Sequence, residues 1–343
     1  MTQAAIRAAF RGQAEACRSL GSPFTAALCE MLADALWPGG GAVADRVLGW
    51  QGDPTGRGDS LPLRLCGALH ALVLRETDPA LAAAWQARQP DPAVVLAALS
   101  RHEAEILAWL DSPPQTNEVA RAAAVIGAAR FLAARLPLPL RVLELGASAG
   151  LNLNFARYYL LPGPDAPLPA DAVRLTPDWS GTLPDAPLRV AETRGVDLRP
   201  VDARRDGLRL MAYCWADQTE RMQRLRAALA VARAHPPQVD AGDAGVWLAH
   251  RLAIAAPGRL TLVFHTIAAQ YFPPATRQQV AAALTRAAAV AGPRAPLAHF
   301  AMEADGGTGA ALRLSLWDGS CEAWDLGRAD FHGRWIDWRP RRV

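Results

Sequence analysis

The sequence predicts an α/β protein in two parts: an N-terminal all-α cap domain over residues 1–114, then an α/β domain over residues 115–343 with a mostly parallel sheet closing in a C-terminal antiparallel hairpin. Three observations predict it. Up to about Pro137 the chain is dense in Ala and Leu and punctuated by helix start signals. From Leu138 short apolar runs of strand length alternate with helical stretches, the pattern of a parallel sheet covered by helices. After Ala304, Leu312, Leu314 and Leu316 alternate with Arg313, Ser315 and Trp317, and Asp318-Gly319 supplies a hairpin turn.

In the first part, Ser22, Asp78 and Asp91 each precede a proline, an N-cap residue with proline at the first helical position, which predicts three helix starts. The Gly- and Asp-rich segment from Trp37 to Ser60 reads as a loop with a short helix over Val43–Trp50. A last helix, Glu118–Leu136, is apolar nearly all round and so is expected between two layers. In the second part the strand-length runs are Leu140–Leu145, Ala172–Leu175, Gln238–Ala241, Leu260–Phe264 and Leu297–Met302. The helices between them are Leu151–Leu160, Gly207–Ala234 with a break near Ala216, Ala244–Ala255 and Ala275–Ala291, and the Pro-rich stretch Leu161–Pro169 reads as a loop insertion.

Composition narrows the function classes. Hydrophobic residues make up 51% and charged residues 20%, an ordinary folded composition. All 36 basic residues are Arg, so a P-loop, which needs Lys on its phosphates, and Schiff-base chemistry, which needs an amine, are excluded. A net charge of +3 without a basic block gives no footprint for nucleic acid. Cys17, Cys29, Cys66, Cys214 and Cys321 are odd in number and far apart, with no metal-ligand spacing, and read as buried reduced thiols in a cytoplasm. Neither a signal peptide nor a membrane span is read, and no metal is expected.

The chemistry concentrates in Arg141-Val-Leu-Glu-Leu-Gly-Ala-Ser-Ala-Gly150-Leu-Asn152, a buried strand running through a small-residue turn into a helix. Small residues let backbone N–H groups approach a ligand, and a helix N-terminus carries about half a positive charge, suited to an anion. A dinucleotide fingerprint wants G-x-G-x-x-G, and only Gly146 and Gly150 are present. The window resembles instead the acidic-x-G-x-G-x-G motif of class I S-adenosylmethionine-dependent methyltransferases, through Glu144, Gly146 and Gly150, with Ser148 in place of the middle glycine.

That resemblance implies a Rossmann-like sheet and a turn, Glu144 to Asn152, facing the methionine part of S-adenosylmethionine, with Glu144 on its amino group. It also implies an acid after strand two on the ribose, for which Asp178 is the candidate, and one after strand three near the adenine, for which Asp243 is the candidate; the alternative for Asp243 is a plain N-cap, and for Glu144 satisfaction by backbone donors. The chain is also similar over nearly its full length to an uncharacterised bacterial family, catalogued as domain of unknown function 2332. The matching stretches include Gln115–Arg121, Leu145–Asn152, Arg194–Pro200, Ala212–Gln218, Val263–Tyr271 and His332–Trp335. That similarity implies a methyltransferase-like fold and brings no substrate.

Ligands of open α/β sheets bind outside the carboxyl ends of the strands. His265, ending strand four, is the first choice as base, with Tyr271 beside it as a further catalytic candidate; the alternative for His265 is a strand-end hydrogen-bonding role. Asn117, Arg121, Trp215 and Gln270 are the candidates for substrate contacts. The alternatives are helix capping for the Gln115–Arg121 segment and core packing for Trp215. Glu303, ending strand five, is either part of the site or a solvated carboxylate. The expectation is methyl transfer to a small molecule in a crevice under the cap. Two alternatives stand beside it: a binding or regulatory protein that keeps the nucleoside pocket and catalyses nothing, and a nucleotide-dependent oxidoreductase. Oligomeric state is left open.

Overall fold

The computed structural model describes residues 2–161 and 168–343, so most of the Pro-rich stretch read as a loop insertion lies outside the described residues. The chain divides into two compact units: residues up to Thr116 with Arg205–Gln223, and Asn117–Arg204 with Arg224–Val343.

The first unit is helical: α1 (Gln3–Ser19), α2 (Pro23–Ala35), α3 (Ala42–Leu48), α4 (Leu61–Leu74), α5 (Pro79–Gln86), α6 (Pro92–Arg101) and α7 (Glu103–Leu110). Asp78 and Asp91 cap α5 and α6 as expected, accepting from Leu81 N and from Ala93 and Val94 N. Ser22 makes no side-chain cap on α2; its hydroxyl goes to Asp217 and Thr25, and Asp217 accepts from Phe24 N at 2.9 Å instead. Cys29 Sγ stands 3.6 Å from Cys66 Sγ, a thiol contact invisible in the spacing, and Cys321 is exposed, contrary to expectation.

The second unit opens with a 3-10 turn, Val119–Arg121, and α8 (Ala122–Ala133), in which every residue but Arg130 is buried. The strands are β1 (Leu140–Leu145), β2 (Tyr159–Leu160), β3 (Arg174–Leu175), β4 (Asp178–Ser180), β5 (Val190–Asp197), β6 (Val239–Ala241), β7 (Leu260–Thr266), β8 (Leu297–Ala304), β9 (Ala310–Trp317), β10 (Cys321–Ala329) and β11 (Trp335–Arg342). The remaining helices are α9 (Gly207–Ala212), α10 (Thr219–Ala234), α11 (Ala244–Leu252) and α12 (Pro274–Ala288). Nine strands form one mostly parallel sheet in the order β4-β11-β10-β9-β8-β7-β1-β5-β6, and β2 and β3 pair apart from it. Strands β6, β5, β1, β7 and β8 run parallel, and β8 through β11 form an antiparallel meander. Strand order reverses at β1, where open α/β sheets leave a crevice.

Three expectations change. The run Ala172–Leu175 is not the second strand of the sheet; that neighbour of β1 is β5, whose alternating polar residues hid it from a search for apolar runs. The expected helix Leu151–Leu160 is a seven-residue 3-10 helix, Leu151–Arg157, followed by β2. The C-terminal hairpin extends into three consecutive antiparallel pairs.

Side chains alternate across the sheet. Leu143, Leu145 and Val263 face one core with Leu248 of α11 and Val280 and Leu284 of α12. Glu144 and its register partner Phe264 face the other side, where Phe264 packs edge-on against Phe155. His265 therefore points to the α11/α12 face and Glu144 to the opposite one.

Candidate functional site

The turn after β1 is closed largely by its own unit. Gly146 and Ala147 donate to Val196 O, Ser148 N to Asp197 Oδ2 at 2.9 Å, Gly150 N to Ala147 O and Leu151 N to Asn117 Oδ1 at 2.9 Å. Gly146 and Gly150 are left-handed, and a Cβ on either would come within 2.7 Å of Ala268 Cβ or Val239 Cγ2. Glycine is thus required here by packing against neighbouring segments as well as by backbone conformation. Ser148, where the resemblance wants glycine, also holds a left-handed φ of 52°, a strained state for serine. With only a short 3-10 helix behind the turn, the helix-dipole argument for an anion does not hold.

What the turn offers is acceptors. Glu144 is 2% exposed, and burial first, then the nearby Asp197, push its carboxyl well above the ordinary range, Arg121 offsetting part of this. Glu144 Oε2, Ser148 Oγ and Asn152 Oδ1 are all buried and find no hydrogen-bond partner among the described residues. Asn152 Nδ2 donates to Glu118 O at 3.2 Å, and Tyr158 Oη donates to Leu151 O at 2.5 Å. The Arg121 guanidinium donates to Phe331 O at 2.8 Å and Thr266 O at 3.3 Å, so Asn117 and Arg121 hold the turn's surroundings in place.

Asp197, which sequence reasoning missed, ends β5 beside β1, and the signal was present in Arg194-Gly-Val-Asp197. Gly195 in that run is needed because a Cβ there would lie 2.6 Å from Ala147 Cβ. Asp178 is corrected: it is exposed on β4 at the far edge of the sheet, with five strands between it and β1. Asp243 caps α11, accepting from Gly245 N at 2.8 Å and Val246 N at 3.1 Å, and its other oxygen accepts from the Thr276 hydroxyl, so the capping alternative describes it.

On the other face, His265 Nδ1 lies 2.7 Å from Glu303 Oε1 and its Nε2 lies 3.1 Å from His299 Nε2. The same Glu303 oxygen accepts from Ala268 N at 2.9 Å and Ala269 N at 3.0 Å, while Oε2 is buried without a partner among the described residues. Burial opposes the charge of Glu303, yet the His265 ring and the two amides hold its carboxyl below the ordinary range. Burial, then His265, holds His299 down to about 3, so that ring is neutral. Glu303 is accordingly no solvated carboxylate. Tyr271 is 70% exposed on a 3-10 turn with exposed Gln270. Trp215 belongs to the helical unit, half-buried against its core with the Arg221 guanidinium 5.8 Å from its ring. No group of three or more His, Cys, Asp or Glu among the described residues is placed to hold a metal, and no helix there is long and apolar enough to cross a membrane.

Fold and site define a mixed α/β protein with buried, unsatisfied acceptors at the reversal of strand order. The chain belongs to the family described as "Uncharacterized protein conserved in bacteria (DUF2332)", whose profile matches residues 7–338. Searches of curated proteins and of solved structures find no match.

Proposed function

We propose that the turn from Glu144 to Asn152, with Asp197, binds S-adenosylmethionine, and that the protein transfers its methyl group to a small molecule. One observation carries the reading: Glu144 Oε2, Ser148 Oγ and Asn152 Oδ1, within nine residues, are buried polar atoms lacking partners. Asn152 Oδ1 can only accept, and so can Glu144 Oε2 once ionised, so the group that suits the ionised site is a donor, as an ammonium is. Leaving such atoms unmade costs roughly 1–3 kcal/mol each, which a bound donor recovers. Glu144 would take the ammonium, and Asp197, at the end of the strand beside β1, would take the ribose role first given to Asp178. Bound there, the cofactor supplies an electrophilic methyl group on a sulfonium.

The chain's own contribution is electrostatic. Burial disfavours the ionised form of Glu144 and an arriving cation favours it, so binding is coupled to loss of a proton from Glu144. Arg121, tied to two carbonyls, keeps β7 and the segment after β10 in register with the turn. The test is methyl-labelled S-adenosylmethionine incubated with the folded protein and small-molecule fractions of a bacterial extract: labelled product in one fraction supports the reading, and its absence from all of them contradicts catalysis.

A second reading, a binding protein without chemistry, is favoured by His265. Both its ring nitrogens are engaged and the ring is buried on the face opposite Glu144, so it is not free to act as the base. This reading predicts a higher melting temperature with S-adenosylmethionine and no product.

A further inference from the structure

The roles expected at the end of β7 and β8 invert in the structure. In a carboxylate–histidine pair that performs base chemistry, the carboxylate holds one ring nitrogen and the other faces the reactant. Here the other nitrogen, His265 Nε2, faces His299 Nε2 at 3.1 Å, and the side chain is 7% exposed. Two ring nitrogens at that distance share one proton, so the pair locks the orientation of His265 and leaves it nothing to offer a ligand.

Glu303 is arranged the opposite way. Its Oε1 collects three donors, His265 Nδ1 and the amides of Ala268 and Ala269, which fixes the carboxylate, and its Oε2 has no partner among the described residues. The chain reaches this geometry by placing Ile267, a β-branched residue, at a left-handed φ of 51°, a strained state that turns the next two N–H groups onto the carboxylate. The cluster adjoins the glycine turn, because Ala268 is the residue a Cβ on Gly146 would strike at 2.7 Å.

We propose that Glu303, and not His265, is the group this edge presents to a ligand, and that it receives an O–H or N–H donor, an alcohol or a protonated amine, while His265 and His299 are positioning residues. An ionised carboxylate is acceptor-only, so an anion is refused by charge and by the lack of any donor on Oε2. As an account of the methyl acceptor the inference rests on the proposed function; as an account of binding it does not, and its test omits S-adenosylmethionine.

Full-length, nitrogen-labelled protein is titrated with n-butylammonium, n-butanol and butyrate while the Ala268 and Ala269 amides and the His265 ring N–H are followed by NMR. Saturable shifts with butylammonium or butanol, at least 10-fold weaker with butyrate, are expected, and the stronger of the first two names the donor. Glu303→Gln is expected to weaken the response at least 10-fold with the Ser148 amide unmoved. Equal response to butyrate, no response to any probe, an undiminished response in a folded Glu303→Gln protein, or a probe effect confined to other residues would each overturn the proposal. Should Glu303→Gln not fold, the wild-type contrast between butylammonium and butyrate decides alone.

Discussion

Glu144 and Glu303 make an instructive pair. Both end parallel strands of one sheet, both have a buried Oε2 without a partner among the described residues, and burial works against the charge of each. Yet Glu144 is pushed up and Glu303 held down. The difference lies in the neighbours. Glu303 has a histidine ring and two backbone amides on its other oxygen, whereas Glu144 has the like charge of Asp197 opposing it and only the smaller help of Arg121. Burial alone does not set a carboxylate's state; the donors the fold aims at it count as well. Glu303 is therefore held ionised by the fold's own donors, whereas the ionised form of Glu144 awaits a positive partner.

The comparison breaks most visibly if the turn on the Glu144 side is displaced alone. Gly150→Ala puts a methyl group 2.7 Å from Val239 Cγ2 in a left-handed backbone, and is expected to cost about 2–4 kcal/mol in denaturant unfolding. The His265 ring signals should stay in place, because Gly150 packs against Val239 and Pro237 and not against the Glu303 loop.

The next effect is at Glu303. Glu303→Gln is expected to lose about 1.5–3 kcal/mol at neutral pH, the range for a hydrogen bond to a charged group. Its folded carboxyl is depressed, so this stability is present above the ordinary carboxylate value and fades as pH falls through the folded value. Stability curves of wild type and variant should converge on acidification.

The smallest effect, opposite in sign, is at Glu144. Its folded carboxyl is raised, so its contribution is fully present below the ordinary carboxylate value and is lost as pH rises through the folded value. Glu144→Gln is therefore expected to melt at or above wild type, with the gap widening from pH 4 towards alkaline pH. A gap that narrows instead would place Glu144 with Glu303 and remove the contrast.

Much of this was legible in the sequence. Asp-Pro pairs gave α5 and α6 because capping is local, and β1, β7 and β8 were legible because central strands of a covered sheet are rich in apolar residues. β5 was not, since Glu192, Thr193 and Arg194 interrupt its apolar run, and with it Asp197 at its end stayed out of view. Placing Asp178 beside the first strand follows from reading the order of strands along the chain as their order in space: β4 pairs with β11 at the opposite edge, a contact no local pattern encodes. The turn window was found for its small residues, while its unsatisfied acceptors depend on burial, which only the fold reveals. The Glu303–His265–His299 array joins two strands through side-chain parity across a register that sequence spacing leaves open.

Calorimetric titration of S-adenosylmethionine into the folded protein, in two buffers of different ionisation enthalpy at neutral pH, tests the account most directly. It predicts saturable one-to-one binding with release of up to one proton, and loss of that release in Glu144→Gln. Absence of binding by the folded wild-type protein, or binding with the same proton count in both proteins, would contradict it.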